Sequence, residues 1–227
     1  MKILALEFSS AKRSVAVWDT DGGASALRHG EVLELDSRST RCFSLIEETL
    51  EAAALDRSAI DCLAVGLGPG SYTGIRAAIA LAQGWELAAS QNRMRLVGIS
   101  SVECLAAQAH ASGMRGRVLV LVDAQRNEFY LAQYAMDETS YREIERLRLA
   151  SRAEVEERAR AGEPIVGPEV TNCFSQARVL FPEASMLARL AAHQNAFVPG
   201  ESLEPIYLRP TAFVKAPPPR QWNASGA

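Results

Sequence analysis

Two acidic residues, Glu7 and Asp123, each follow an apolar segment, and their placement could serve the chemistry of a metal-bound nucleotide. The apolar segment before Glu7 is LAL, and the one before Asp123 is VLV. A carboxylate at the end of a strand can hold the metal ion that accompanies a nucleotide, but it more often caps the turn that follows. Both roles stay open here, and the turn cap is favoured.

The turns after these two carboxylates argue against phosphate chemistry. Their sequences are FSSAKR after Glu7 and AQRN after Asp123, and neither contains a glycine. Phosphate oxygens are bound by backbone N–H groups that close around them, and a residue without Cβ takes that backbone shape most easily. The sequence therefore predicts no catalytic residue and no bound cofactor here, with an ATP-binding enzyme (an ATPase or a small-molecule kinase) as the alternative.

A further candidate is the glycine-rich string GLGPGSYTGIR at residues 66–76, which lies between a predicted strand and a predicted helix. It lacks the Lys and Ser or Thr of a P-loop, and its glycines miss the dinucleotide-binding spacing by one residue. A nucleophile elbow at Ser71 is excluded because Pro69 and Thr73 occupy positions that need glycine. Ser71 is better explained as the N-cap of the helix.

The helix after this turn carries residues that are too small to form a bulky core stripe. They are Ala77, Ala78, Ala80, Ala82 and Gly84. Small side chains let two helix axes approach closely. They could face the interior of the same lobe, or they could receive a partner helix together with the neighbouring helix at 40–55. Both explanations stay open.

Hydrophobic periodicity places these candidates on a frame of short strands and helices. The first half is predicted to have strands at 2–9, 13–19, 24–35, 61–67 and 95–99, and helices at 40–55, from the glycine turn to about residue 89, and at 100–112. The second half is predicted to have strands at 118–123, 128–136 and 141–149, and helices at 151–161, 171–180 and 184–195. On the helix at 40–55, the residues expected to face the core are Phe43, Ile46, Leu50 and Ala54.

Each half opens with an apolar strand, a carboxylate, a polar turn and a returning strand, which is a faint internal repeat. Two such meanders followed by α/β crossovers predict an α/β protein with two similar lobes, each a mixed sheet flanked by helices. The actin-like (ASKHA, ribonuclease H-like) superfamily is built in this way. The predicted lobes are residues 1–112 and 113–215, and residues 216–227 are expected to form a disordered tail.

Composition narrows the class of protein. The chain has 227 residues, of which 48% are hydrophobic and 22% charged, as is typical of a globular protein. Its net charge of −3 gives no overall attraction for nucleic acid. A modest basic cluster, Arg142, Arg146 and Arg148, alternates with glutamates, so this segment is expected to be a solvated strand.

No metal site, redox motif or membrane segment is predicted. The cysteines and histidines lie far apart: Cys42, Cys62, Cys104, Cys173, His29, His110 and His193. The cysteines are therefore expected to be free thiols in a reducing compartment, and the histidines cannot form a metal pair by spacing. No apolar run reaches the ~20 residues needed to cross a bilayer, and no signal peptide is recognisable, so a cytoplasmic location is expected.

The string GLGPGSYTGIRAAIALAQG closely resembles the signature of the TsaB (YeaZ) family of tRNA threonylcarbamoyladenosine biosynthesis proteins. Three further strings are similar to that family: MKILALEFSS with SVAVW to its first hairpin, VLVDAQRNEFYLAQY to its second hairpin, and EPIYLRP, followed by Lys215, to its ending. These segments occur in the right order and span nearly the whole chain, which makes the resemblance specific.

The resemblance implies two actin-like lobes and kinship with the transferase TsaD, which places a threonylcarbamoyl group on N6 of adenosine 37 in tRNAs that read codons beginning with A. It implies a scaffold without chemistry of its own, because TsaD carries the metal and the transfer step and the small ATPase TsaE completes the complex. The scaffold would contact tRNA only indirectly. An adenine nucleotide at the joint between partners stays open.

By the same resemblance, helices at 40–54 and 72–87 form a face that pairs with TsaD or with a second copy of the chain. The candidate residues of this face and of its glycine turn are Gly68, Gly70, Ser71, Thr73, Gly74, Arg76, Ala77, Ala80, Gly84, Phe43 and Glu47. The chain departs from the family pattern where Glu7–Phe8 replaces Asp-Thr and Arg38–Ser39 replaces His-Ser. A peptidase is not supported, because no histidine has a serine partner by motif.

Overall fold

The structure, a computed structural model, describes residues 1–21, 27–33, 41–89 and 94–209. In this part of the chain two five-stranded sheets form, with helices packed on their faces. No helix within the described ranges is long and apolar enough to cross a membrane. The Arg38–Ser39 departure and the tail predicted at 216–227 lie outside the described residues.

The first sheet is mixed and has its centre at β1. Its strands are β1 (Lys2–Glu7), β2 (Lys12–Asp19), β3 (Leu27–Leu33), β4 (Cys62–Gly66) and β5 (Arg95–Ile99). They lie in the order β3-β2-β1-β4-β5, with the first three strands antiparallel and with β4 and β5 parallel to β1. Ala5 pairs with Ala16 on one side and with Ala64 on the other. The predicted antiparallel meander is confirmed.

The second sheet repeats this arrangement. Its strands are β6 (Gly116–Gln125), β7 (Glu128–Met136), β8 (Tyr141–Ser151), β9 (Ile165–Gly167) and β10 (Arg178–Val179). The order β10-β9-β6-β7-β8 is the order of the first sheet written in reverse, again with three antiparallel strands followed by two parallel ones. The internal repeat predicted from the sequence is therefore confirmed at the level of topology.

The helices form layers on both sides of each sheet. They are α1 (Cys42–Ala52), α2 (Tyr72–Ala88), α3 (Ser101–Ala111), α4 (Arg152–Arg160) and α5 (Ala184–Ala192). The first sheet packs α1 and α2 on one face and α5 on the other. The second sheet packs α3 on one face and α4, with the loop after β9, on the other.

Two of these helices cross between the halves. The α5 residues Leu187 and Ala191 pack against Ile3 and Ala5 of the first sheet, although α5 comes late in the chain. The α3 residue Leu105 packs against Val120 of the second sheet. The division into lobes 1–112 and 113–215 stays a prediction, and each half contributes a helix to the core of the other.

Two expectations about helices were wrong. The segment 171–180 forms only a 3₁₀ turn at Val170–Asn172 and the short strand β10. Its buried residues Val170, Phe174 and Ala177 have helical spacing, but the chain must extend again at once to pair with β9. The strand β9 was not predicted, because three residues carry too little periodicity.

The core face of α1 was also partly wrong. Its buried residues are Cys42, Leu45, Ile46, Thr49 and Leu50. Phe43 is 67% exposed, and Ala54 lies beyond the helix with a φ of 50°. Ile46 and Leu50 were placed correctly. The buried face of α1 is centred on Cys42, Ile46 and Thr49, so Phe43 lies to one side of it and faces outward.

The cysteines are free thiols, as predicted. Cys42, Cys62 and Cys104 are buried, and Cys173 is half-buried. Burial raises the pKa of Cys62 to about 12, so this thiol stays protonated and behaves as a small apolar side chain.

Candidate docking face and the cleft between the sheets

A cleft of about 650 Å³ lies between the two halves and brings together the two turns singled out in the sequence. Ser9 and Ser10 come from the first turn, and Asp123 and Gln125 from the second. Tyr72, at the start of α2, lies at the same cleft. This is the position at which the sequence could have held a metal-bound nucleotide.

Glu7 does not face this cleft, because it is completely buried below the first turn. One carboxylate oxygen accepts a hydrogen bond from the backbone N–H of Ser9 at 2.8 Å, and the other accepts from the hydroxyl of Ser101 at 2.8 Å. Burial raises the pKa of Glu7, and the hydrogen bonds from Ser9 and Ser101 oppose that rise. Glu7 therefore caps a turn in the core, as the sequence favoured.

Asp123 has the equivalent role in the second half. Its carboxylate accepts from the backbone N–H of Gln125 at 2.7 Å, which is the same two-residue offset as Glu7 to Ser9. Asp123 is exposed to solvent, in contrast to Glu7. Both carboxylates thus shape their own turns.

The second turn has a left-handed backbone built without glycine. Gln125, Arg126 and Asn127 have φ values of 64°, 56° and 60°, which side chains with a Cβ rarely adopt. The Arg209 guanidinium donates to the carbonyl oxygens of Ala124 at 3.0 Å and Gln125 at 3.4 Å. The turn is thereby fixed by an arginine from the same chain.

The glycine turn packs against the first turn and leaves no room for side chains. A Cβ at Gly70 would lie 2.0 Å from the carbonyl oxygen of Ser9, and one at Gly74 would lie 1.9 Å from that of Phe8. The Ser71 N–H also donates to the Ser9 carbonyl at 2.6 Å. These glycines permit close backbone packing within the first half.

Gly66 and Ser71 complete the local structure of this turn. A Cβ at Gly66 would lie 2.1 Å from a carboxylate oxygen of Glu7, so the missing side chain makes space for the buried acid. The Ser71 hydroxyl accepts from the N–H of Gly74 at 3.3 Å, which confirms the predicted N-cap. Gly68 is buried, with a cis peptide bond to Pro69.

The small residues of α2 divide between the core and the surface. Ala78 and Ala82 are buried in the core of the first sheet, and Ala77 is half-buried against it. Ala80 and Gly84 are exposed, and no atom lies within 4 Å of a Cβ built on Gly84. Internal packing is therefore confirmed for Ala78 and Ala82, and the reception of a partner helix by the exposed face stays a prediction.

The exposed face of α2 borders an apolar groove of about 820 Å³. Ala80, Gly84 and Trp85 form one wall, and Phe43 and Ile46 of α1 lie on the other. Phe43 is the large apolar side chain that the core prediction misplaced. Leu87, which the sequence analysis did not select, is 82% exposed on the same helix. This groove, with its exposed rim, is called the docking face below.

The other candidate residues lie around this face or below it. Glu47 is exposed beside the groove and pairs with Arg57, a groove residue, at 2.5 Å. Thr73 and Arg76 are exposed on the first turns of α2. Gly68 and Gly74 lie inside the protein, where they support the helix.

One feature at the rim was missed because its members are far apart in sequence. The rings of Tyr72 and Tyr207 stack with centroids 5.5 Å apart and an interplanar angle of 21°. The Arg76 guanidinium lies 5.1 Å from the centroid of the Tyr72 ring and donates to the Tyr72 hydroxyl at 2.7 Å. Tyr207 belongs to the string EPIYLRP, which entered the sequence analysis only as part of a resemblance.

Among residues 1–21, 27–33, 41–89 and 94–209, no three His, Cys, Asp or Glu side chains come together in a cluster that could hold a metal ion. His110, on α3, contacts the carbonyl oxygen of Asp137, just after β7, at 3.0 Å.

Comparison with known proteins gives a consistent result. Residues 36–204 match the family model of TsaD, tRNA N6-adenosine threonylcarbamoyltransferase. The tRNA threonylcarbamoyladenosine biosynthesis protein TsaB of Escherichia coli is 31% identical over 226 residues, covering 92% of this chain and 95% of that protein. TsaB of Haemophilus influenzae is 32% identical over 138 residues, covering 59% of this chain and 53% of that protein.

Solved structures agree with these relatives. YeaZ from Pseudomonas aeruginosa superposes with a TM-score of 0.72 at 25% identity, covering 91% of this chain and 99% of the other. A second structure, described as an uncharacterized protein with similarity to peptidase YEAZ from Pseudomonas aeruginosa, gives a TM-score of 0.75 at 25% identity over 92% and 99% of the two chains. The fold is therefore actin-like, as the repeat predicted.

Proposed function

Because the chain belongs to the TsaB (YeaZ) family, we propose that it serves tRNA threonylcarbamoyladenosine biosynthesis as a scaffold that holds a TsaD-like transferase and performs no bond chemistry itself. The observation that carries this proposal is the open groove between α1 and α2, where Ala80 and Gly84 leave room for a partner helix. The two turns at the cleft, in contrast, are engaged by contacts within the chain.

The match to the transferase family supports a partner with the same fold. Such a partner would carry an equivalent pair of helices, and two similar helix pairs can pack together about an approximate twofold axis. A second copy of this chain could use the same geometry, so a homodimer is the competing occupant of the docking face. We assign the transferase as the functional occupant, with a TsaE-like ATPase joining that complex in the cytoplasm.

The charge distribution supports indirect contact with tRNA. Arg148 lies in the basic segment of β8, and it is held by Glu145 and Glu154. The chain as a whole has a net charge of −3. Arg148 is therefore already neutralised by carboxylates, and the partner is proposed to supply the tRNA-binding surface.

A charged substitution at the centre of the groove tests the docking proposal. Ala80→Arg would place a long cation where the partner helix must approach, so affinity for the purified transferase should fall by at least about 100-fold. Isothermal titration calorimetry measures this affinity. Because Ala80 is exposed, the melting temperature of the isolated chain should move by only about 1–2 °C.

Ala153→Arg is the matched control. Ala153 is exposed on α4, on the other half of the molecule, so the same change should leave transferase affinity unaltered. If Ala80→Arg also binds the transferase like the unmodified chain, the groove is not the docking site and the scaffold proposal loses its support.

One observation favours an ATP-binding enzyme as a second candidate, namely the size of the cleft. Saturable ATP binding by the isolated chain, abolished by Asp123→Ala, would support that candidate. The left-handed turn held by Arg209 argues for the opposite result, in which calorimetry detects no ATP binding.

A further inference from the structure

The C-terminal part of the described chain forms a strap, residues 203–209, that runs from the first sheet to the second. Leu203 is buried in the core of the first sheet, and the Ile206 N–H donates to the Leu67 carbonyl at 2.9 Å. Arg209 then bonds the turn after β6 and pairs with Glu128 of β7 at 2.5 Å. The strap is thus fixed at both ends, one on each half.

Tyr207 lies between these two fixed points, and its ring is placed against Tyr72. Tyr207 remains 46% exposed and Tyr72 58% exposed, although their rings are stacked. The Arg76 guanidinium lies over the ring of Tyr72, and Arg76 is itself exposed. Two aromatic rings and a guanidinium group are therefore preorganised on the surface, with much of their area still in water.

This cluster is continuous with the docking face. Tyr72, Arg76, Ala80 and Gly84 recur at every fourth residue of α2, so they form one ridge along the helix. All four are exposed. At one end of the ridge the small residues Ala80 and Gly84 allow a partner helix to approach closely. At the other end Tyr72 offers a large aromatic side chain.

We propose that the cluster of Tyr72, Arg76 and Tyr207 is the energetic hot spot of transferase docking, a role that rests on the scaffold function above. Small residues bury little area, whereas tyrosine and arginine dominate the energy of most interfaces. The stack and the Arg76–Tyr72 hydrogen bond fix the side chains beforehand, so binding costs little conformational entropy. The partner fits this site with an apolar or aromatic side chain on the rings and a carboxylate opposite Arg76.

Arg209 acts in this proposal as a positioning residue. It makes its bonds to the second half and so fixes the strap that carries Tyr207. The affinity of the docking face therefore depends on a contact with the turn after β6. The effect of Arg209 should appear as a looser strap, which hydrogen exchange of the backbone at 204–208 can detect.

The test measures affinity for the purified transferase by calorimetry. Tyr207→Ala should weaken binding by about 10- to 100-fold. Tyr207→Phe keeps the ring and should bind within about threefold of the unmodified chain, and Leu208→Ala, at the next strap residue, should do the same. Arg209→Ala should weaken binding less than Tyr207→Ala and should speed hydrogen exchange at 204–208.

The outcomes separate this inference from the function on which it rests. If Ala80→Arg abolishes binding while Tyr207→Ala and Arg76→Ala bind like the unmodified chain, docking stands and the hot-spot assignment is overturned. If all three variants bind normally, the scaffold proposal itself fails. If Tyr207→Ala breaks only self-association of the chain, the cluster serves a second copy and the assignment to the transferase is overturned.

Discussion

The crossover between the two outer parallel strands differs sharply between the two halves. In the first half, β4 and β5 are joined through α2, which is 17 residues long and exposes one face. In the second half, β9 and β10 are joined through a loop whose regular part is the three-residue turn Val170–Asn172. The strand order is the same in both sheets. The corresponding cavity of the second half, about 580 Å³, therefore lies between α4 and this loop rather than between two helices.

The carboxylate turns differ in a related way. In the first half, Glu7 is buried and the glycine turn packs directly on its loop. In the second half, Asp123 is exposed and Arg209 holds the left-handed turn from outside. Hydrogen bonding between strands preserves a duplicated sheet, whereas turns and crossovers can change as long as their own polar groups are satisfied. The first half thus carries the proposed docking face, and the second half carries the turn that Arg209 holds.

The largest expected effect is a loss of stability when the packing of α2 against the turn after β1 is disturbed. Gly74→Ala would place a Cβ 1.9 Å from the backbone oxygen of Phe8, so either α2 or the first turn must move. We expect a loss of roughly 3 kcal/mol or more in the free energy of unfolding. Urea denaturation of the isolated chain measures it.

Gly84→Ala is the matched control on the same helix. Its Cβ meets no atom within 4 Å, and alanine favours a helix interior, so stability should rise by about 0.5–1 kcal/mol. Equal stability changes at both glycines would contradict the tight packing of α2 on the first turn.

A smaller effect should separate the two carboxylates. Burial raises the pKa of Glu7 above its ordinary value of 4.5. Its contribution to stability is therefore fully present below that pH and is lost as pH rises through the folded-state pKa. The free energy of unfolding should fall with rising pH more steeply for the unmodified chain than for Glu7→Gln, as urea denaturation from about pH 5 to about pH 9 would measure.

Asp123→Asn makes the same chemical change at the equivalent, exposed position. The amide keeps an oxygen that can accept from Gln125, so stability at neutral pH should change by less than about 0.5 kcal/mol. Parallel pH curves for Glu7→Gln and the unmodified chain would mean that the buried carboxyl ionises as readily as one in water.

The smallest effect is expected at Glu47, on the rim of the groove. Its pair with Arg57 is more than half exposed on both sides, so Glu47→Ala should change the free energy of unfolding by at most about 0.5 kcal/mol. A drop in transferase affinity without a change in stability would assign Glu47 to the interface, and unchanged affinity would place it outside.

The sequence predicted the regular strands and helices of the fold better than the segments in which tertiary contacts override local preference. Strong alternation and apolar runs located the meanders, and the N-cap at Ser71 followed from a local rule. The segment 171–180 failed because Val170, Phe174 and Ala177 are buried at helical spacing while the chain is extended by β10. Tertiary pairing with β9 overrides the local preference there, and periodicity alone does not contain that information.

The candidate site could be predicted only in part. Ala80 and Gly84 were recognised as small residues, but their separation from Ala78 and Ala82 depends on the rotation of α2 about its axis. The Tyr72–Tyr207 stack joins two distant parts of the chain, and no local pattern signals such a pair. Resemblance to a family indicated which helices would form the proposed docking face, whereas its aromatic end depends on the three-dimensional fold.

The crossing of α5 onto the first sheet affects how the protein is made. One apolar face of the first sheet, which includes Ile3, Ala5 and Ala16, is covered by Leu187 and Ala191 of α5. During synthesis this face remains exposed to solvent until α5 has emerged from the ribosome. A nascent chain that ends before α5 would expose a sheet surface to chaperones and to other chains. Folding of the first half is therefore expected to need the chain as far as α5, and contacts of long sequence separation should make it slow.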